Sequence, residues 1–368
     1  MSLNASRRIL AIPGHLELTA GGRLDHLQVA YETYGTLAPD RDNVILVLHG
    51  LTADQHAAGP PWTEGSKGGW WDVAIGPGKP LDTNRYFVVC PNVLGGSGGT
   101  TGPATQDVAI GRAYGSRFPV VTIGDMAELQ RLFLDELGIE RLHAVVGGCM
   151  GGFQAMEWLV RDPDRVGRAV LISATPQTTT HNLALWSVLR TLLQSDPQFR
   201  SGDYYDGPAP DIGTGLLAMV GALFWMSPET LQQRFGLRTA SGRPPRYTIE
   251  PEFAIEQFLH GIRQNAAGRI DANSFIHLTR AIDYFDLSRD HGSVERAFDR
   301  ANMPVLLVSY RSDWRYPPEE IEELHAALQR AGLPSRHVVL DSPVGHGAFL
   351  YDFAGLAPIL AEFIDSPG

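Results

Sequence analysis

At 368 residues, with 43% hydrophobic and 19% charged side chains, the chain has ample apolar material and exceeds an average domain, so a core with a large insertion or a second domain is expected. Lys and Arg number 30 against 41 Asp and Glu, a formal charge of −11; with no basic cluster interleaved with aromatics, this argues against a nucleic-acid partner. The 2 cysteines follow no framework spacing, which points to a reducing compartment.

The opening MSLNASRRILAIPGH carries two arginines but no apolar h-region, so no secretory signal is expected, and the apolar runs are too short to span a bilayer. The expectation is a cytoplasmic protein with no membrane partner. NVILVLHG (43–50) is the first strong strand, a continuous aliphatic run of the kind buried on both sheet faces. It leads into His49, Gly50, Leu51 and Thr52, with His49 read as a structural histidine. RYFVVCPN (85–92) is a second such strand and holds Cys90, read as a buried strand cysteine. The glycine-rich GGSGGTTG (95–102) lacks a Lys-Ser/Thr ending and a clean G-x-G-x-x-G running into a helix, so it is expected to line an active-site entrance rather than hold phosphate. Over 124–138 helical spacing places Met126, Leu129, Leu132, Phe133 and Leu137 on one face, and Gly138 stops the helix. A strand at LHAVVGG (142–148), a helix over 152–160 and a strand at RAVLISA (168–174) follow.

There the alternation stops. Residues 176–288 are rich in helix-type segments, LALWSVLRTLLQ, PEFAIEQFLHGIRQ and SFIHLTRAIDYF, broken by Gly/Pro/Tyr loops. Strands resume at MPVLLVSY (303–310) and RHVVLD (336–341). Between them a helix over 318–332 has Pro inside its start, acids in its first turn and Gly past its end. Strands alternating with helices imply an α/β fold with a mostly parallel sheet and helices on both faces. The expected organisation is a first core part over 1–175, a helical lid over 176–295 and a second core part over 296–368.

The chemistry concentrates in Gly147-Gly148-Cys149-Met150-Gly151, a G-x-C-x-G between a strand and a helix. That is the setting of a nucleophile elbow, where a strained turn lifts the nucleophile above the sheet and flanking glycines let the backbone double back. The helix N-terminus aims its N–H groups at the thiol and favours the thiolate. A cysteine at a strand end is also what an inert core residue looks like. Two further residues separate the readings: Asp313 after the strand 303–310 and His346 after the strand 336–341, in the chain order nucleophile, acid, histidine. Both occupy loops at the carboxyl edge of the sheet, where α/β folds place their sites. The backbone N–H groups of Leu51 and Met150 are the expected oxyanion donors.

These residues, with WWDVAIGPGKPLDTNRYFVVCPNVLGG (70–96), FPVVTIGDM (118–126), GGCMGGFQAMEW (147–158), DPQFRSGDYY (196–205), DANSFIHLTRAIDYFDL (271–287), SYRSDWRYPPEE (309–320) and GHGAFL (345–350), make the chain resemble the homoserine O-acetyltransferase family along almost its whole length. The resemblance implies an α/β-hydrolase fold, an acyl-enzyme formed from acyl-CoA as co-substrate, a lid that shapes the entrance tunnel, a homodimer through that lid, and neither cofactor nor metal. Three positions depart from the family pattern. Cys149 stands where the family usually has Ser. Gly347 stands where an Asp holds the amino group of homoserine, and Ala218 stands where a lid Arg grips its carboxylate. The acceptor is therefore expected to be a small hydroxyl compound other than homoserine, unless lid cations such as Arg243, Arg246 or Arg263 substitute. A thioester or ester hydrolase using the same Cys-His-Asp set is the alternative.

Overall fold

The computed structural model describes residues 8–62 and 67–366. The first seven residues, on which the expectation about a secretory signal partly rests, lie outside them.

Eight strands form one sheet: β1 (Arg8–Ile12), β2 (Leu27–Tyr34), β3 (Val44–Leu48), β4 (Phe87–Pro91), β5 (Ala144–Gly148), β6 (Ala169–Ile172), β7 (Val305–Tyr310) and β8 (Ser335–Leu340). Their spatial order is β1-β2-β4-β3-β5-β6-β7-β8. The pairs β1–β2 and β2–β4 are antiparallel, and every pair from β4 to β8 is parallel. The uninterrupted aliphatic runs are explained by burial on both faces. In β3, Val44, Leu46 and Leu48 enter one apolar cluster while Ile45 and Val47 enter the other. Successive side chains of a strand point to opposite faces, so each strand feeds both clusters.

Helices α1 (Ile123–Glu136) and α2 (Met150–Arg161) cover the first face through residues such as Met126, Phe133, Phe153 and Trp158. Helix α1 starts from a Thr122–Asp125 capping box, a reciprocal pair that satisfies its free N–H groups.

Between β6 and β7 the described chain carries no strand of the sheet. It forms α3 (Thr180–Gln194), α4 (Asp211–Trp225), α5 (Pro228–Arg234), α6 (Ala254–Asn265) and α7 (Ala272–Asp283). After β7, α8 (Pro318–Arg330) returns to the first face, and α9 (Leu356–Asp365) covers the second with Leu356, Leu360 and Ile364. Among the described residues no single helix is long and apolar enough to cross a membrane.

Candidate active site

Cys149 sits between β5 and α2 with φ 55° and ψ −125°, a left-handed conformation that a residue with a Cβ adopts only under strain. The Cys149 N–H donates to Ile172 O at 2.9 Å, continuing the β5–β6 pairing, and its carbonyl accepts from the Gly152 N–H at 2.9 Å, which closes the turn. Gln154 on α2 donates to the carbonyls of His49 and Met150, each at 3.2 Å, tying the elbow to the loop after β3.

The structure brings Cys149, His346 and Asp313 together, all three almost wholly buried. His346 Nδ1 lies 2.8 Å from Asp313 Oδ2. A carboxylate only accepts, so Nδ1 carries the hydrogen and Nε2 is left to face the thiol. Asp313 Oδ1 accepts from the N–H groups of Arg315 (3.0 Å) and Tyr316 (3.2 Å), which orients the carboxylate. His346 Nε2 is buried without a hydrogen-bond partner among the described residues. The ring is packed by Trp225 and Tyr316, each with centroids 5.2 Å away.

Electrostatics follow this geometry. Burial pushes the Cys149 thiol up, but the neighbouring His346, the Arg315 guanidinium and the Met150 N–H outweigh it and bring the thiol from 9.0 to about 7. Burial lowers His346, and the Asp313 carboxylate more than reverses this, so the imidazole is raised. Burial likewise raises Asp313, and His346, Arg315 and the Tyr316 N–H outweigh it and hold the carboxyl low. A lowered thiol beside a raised imidazole is the direction that favours a thiolate–imidazolium pair. Alkylation of Cys149 by iodoacetamide is therefore expected to rise along an acid limb centred near pH 7, not near 8.5 as for an ordinary thiol. Below that pH the sulfur is protonated and inert. Mass spectrometry of the two cysteine peptides against pH checks this, with Cys90 as the silent control. Cys90 is fully buried in the cluster on the far face of the sheet, and burial raises its thiol well above the usual range.

The Leu51 N–H makes no hydrogen bond to the described residues, and Gly50, Leu51 and Thr52 border the same cavity as Cys149. The Met150 N–H is the first of α2 and has no acceptor within its helix by position. Both ring nitrogens of His49, which borders a second cavity, have partners. Its Nδ1 meets Gly50 O at 2.8 Å and its Nε2 meets Asn92 Nδ2 at 3.1 Å and Val93 N at 3.2 Å.

The cavity beside Cys149 measures about 240 Å³, and its far wall is the lid, with Trp186 from α3 and Ala218, Phe224 and Trp225 from α4. A second, more polar cavity of about 540 Å³ shares Leu51, Thr52, Ala53, Ile270 and Phe275 with it and is bordered by Gly96, Ser97 and Gly98 of the glycine-rich loop. Ala218 thus faces the first cavity. At Gly347 a Cβ would stand 2.9 Å from the Trp225 ring and 3.1 Å from the Tyr351 ring, so Trp225 fills the space an acidic side chain would need. Arg243, Arg246 and Arg263 are exposed and line neither cavity. The cation in the wall is instead Arg315, which the spacing of the acid loop did not single out. Its position two residues past Asp313 was the only available signal.

Among the described residues no group of three or more His, Cys, Asp or Glu is placed to hold a metal.

An elbow after β5, an acid after β7 and a histidine after β8 on this sheet order define an α/β hydrolase. A family model described as the alpha/beta hydrolase fold matches residues 43–353. The homoserine O-acetyltransferases of Solidesulfovibrio magneticus (42% identical, covering 95% of this chain and 89% of that one) and Methanosphaerula palustris (43%, covering 97% and 72%) are similar over nearly the full length. The chain belongs to the homoserine O-acetyltransferase family. Among solved structures, the homoserine O-acetyltransferase from Bacillus anthracis superposes with a TM-score of 0.89 at 27% identity, covering 98% of each chain. Esterase E22 gives 0.88 at 27%, covering 98% of this chain and 100% of that one.

Proposed function

We propose that the protein is an acyltransferase that carries an acyl group from acyl-CoA on Cys149 to the hydroxyl of a small acceptor other than homoserine. The observation that carries the reading is Cys149 on a strained elbow beside the buried His346–Asp313 pair, whose Nδ1 and Oδ2 lie 2.8 Å apart, at the floor of an apolar cavity roofed by the lid.

In the proposed sequence His346 Nε2 holds the thiol proton. Cys149 Sγ attacks the thioester carbonyl carbon, and the oxyanion is held by the Leu51 and Met150 N–H groups. As the carbon–sulfur bond to CoA breaks, His346 returns the proton to the leaving thiolate. It then takes the acceptor's hydroxyl proton while the new carbon–oxygen bond forms and Cys149 leaves as thiolate. A thioester donor and a thioester enzyme lie close in energy, which favours acyl-CoA over an oxygen ester. The apolar walls support transfer over hydrolysis, because the acyl-enzyme is kept from bulk water. The reading carries with it a cytoplasmic protein without cofactor or metal, and a homodimer through the lid; α5 and α6 bury no residue within one chain, as helices awaiting a partner would.

Mixing with acetyl-CoA is expected to release one thiol per chain in a burst and add one acetyl mass to the peptide bearing Cys149. Cys149→Ala should show neither. Absence of an adduct with any acyl-CoA tried would sink the reading. Rapid loss of the adduct to water without acceptor would instead favour hydrolysis.

A further inference from the structure

The polar cavity of about 540 Å³ takes no part in the acyl-transfer steps, yet it meets the cavity at Cys149 across Leu51, Thr52, Ala53, Ile270 and Phe275, which border both. Three residues past Leu51 the same loop places Asp54 in its wall, half-buried. Asp54 Oδ1 accepts from the His56 N–H at 2.8 Å. Oδ2 has no hydrogen bond among the described residues, and the carboxylate forms no ion pair with them.

A second, independent observation comes from helix α7. Ser274 borders the same cavity and is 4% exposed, and its Oγ is buried without a hydrogen-bond partner among the described residues. Asp271 also stands in the wall, but its carboxylate is already filled. Its Oδ1 accepts from the Tyr205 OH at 3.0 Å and the Ser274 N–H at 2.7 Å, and its Oδ2 from the Tyr204 OH at 2.7 Å. Asp271 therefore adds negative charge without offering a place. Burial lowers His49 and favours its neutral form. Arg269 is exposed and also borders an outer hollow lined by Lys67.

The free oxygens of Asp54 and Ser274 can both accept, and a primary ammonium brings three donors to them. The two carboxylates repel the phosphates of a CoA donor, so this cavity suits the acceptor. A metal ion would need more ligands, and no group of three or more His, Cys, Asp or Glu is placed to hold one among the described residues. No acidic side chain lines the cavity at Cys149, so an ammonium finds its counter-charge only in the second one. We propose that the second cavity is the ammonium subsite of the acceptor, an amino alcohol whose protonated amine is held by Asp54 Oδ2 and Ser274 Oγ while its hydroxyl reaches Cys149 past Leu51. The proposal rests on the reading of Cys149 as the acyl carrier. A protonated amine has no free electron pair, so the hydroxyl takes the acyl group. It gives its proton to His346 as the new carbon–oxygen bond forms and the bond to Cys149 Sγ breaks.

The first measurement needs no acyl transfer. Amino alcohols of two to five carbons, at matched ionic strength, should slow alkylation of Cys149 by iodoacetamide in the wild type, and alkanols of the same length should not. The dissociation constant read from that protection should rise about 10- to 100-fold in Asp54→Asn and by a smaller factor in Ser274→Ala. Asp54→Asn keeps the oxygen that accepts from the His56 N–H, and Ser274→Ala removes a hydroxyl without a partner, so both variants should fold. Protection is a ratio of rates with and without the amino alcohol, so a change in thiol reactivity cancels. Equal protection in wild type and Asp54→Asn, or none by any of the amino alcohols, overturns the proposal whatever the outcome of the acetyl-CoA experiment. The second measurement follows discharge of the acetylated wild type. The best amino alcohol should outpace its alkanol, and Asp54→Asn should lose that advantage through KM. An acetyl-enzyme that discharges equally to both, or an advantage that survives in Asp54→Asn, overturns the assignment of the acceptor while leaving the acyl-enzyme in place.

Discussion

Asp313→Asn is expected to slow single-turnover acylation by about 10³- to 10⁴-fold, the scale on which an orienting carboxylate matters in Ser-His-Asp enzymes. The substituted amide can still accept from the Arg315 and Tyr316 N–H groups at Oδ1, where the carboxylate now accepts at 3.0 and 3.2 Å. Its other terminus, however, becomes an NH₂ facing His346 Nδ1, at the position now 2.8 Å away. The ring is then driven to the tautomer protonated at Nε2, which presents a hydrogen to the thiol instead of accepting one. The charge that raises His346 is lost as well. With the imidazolium weakened, the thiol loses its main stabilising partner, so the acid limb of alkylation should move up from about 7 toward the ordinary thiol range. Both readouts come from one protein preparation, with thermal unfolding as a control for gross misfolding. Unchanged acylation together with an unchanged limb would remove Asp313 from the proposed triad.

How much of this was legible in the sequence depends on where burial comes from. The parallel strands stand out because both faces are covered, so β3, β5, β6 and β7 are wholly buried and mostly aliphatic runs. β1 could not be read that way: four of its five residues are exposed or half-buried, and its pairing with β2 is a long-range fact. The elbow and its partners were readable because strain demands glycine locally and chain order is a property of the sequence. Arg315 was not. An arginine in a loop reads as solvated, and its burial is created by α3, from a segment more than a hundred residues earlier, bringing Asn182 and Trp186 over it. The fit of Trp225 against Gly347 is likewise a contact between the lid and the histidine loop. Comparison of residue types at Ala218 and Gly347 could say what was absent there, but not what occupies the space.

Gly151→Ala is expected to cost about 3 kcal/mol of stability, at the upper end of overpacking effects, and to fall by at least about 100-fold in acylation. A Cβ at this position would lie 2.0 Å from Leu48 O, 2.7 Å from Leu48 C and 3.2 Å from His49 O. These are backbone atoms at the end of a central strand, so no rotamer change relieves the contact. Either the first turn of α2 moves away from β3, or the His49–Leu51 loop moves away from the elbow. Both movements separate the Leu51 N–H from Cys149, and a displacement near 1 Å is enough to cost about 100-fold in rate. Gly50→Ala is the matched comparison. Its Cβ would meet Gly148 O at 3.7 Å and Cys149 Cβ at 3.8 Å, ordinary contacts at a backbone conformation open to any residue, so stability should stay within about 1 kcal/mol of wild type. Thermal unfolding of the two variants side by side, with single-turnover acylation by acetyl-CoA, makes the comparison. If Gly151→Ala matches Gly50→Ala in both, the close approach of α2 to β3 is not what holds the elbow in its strained form.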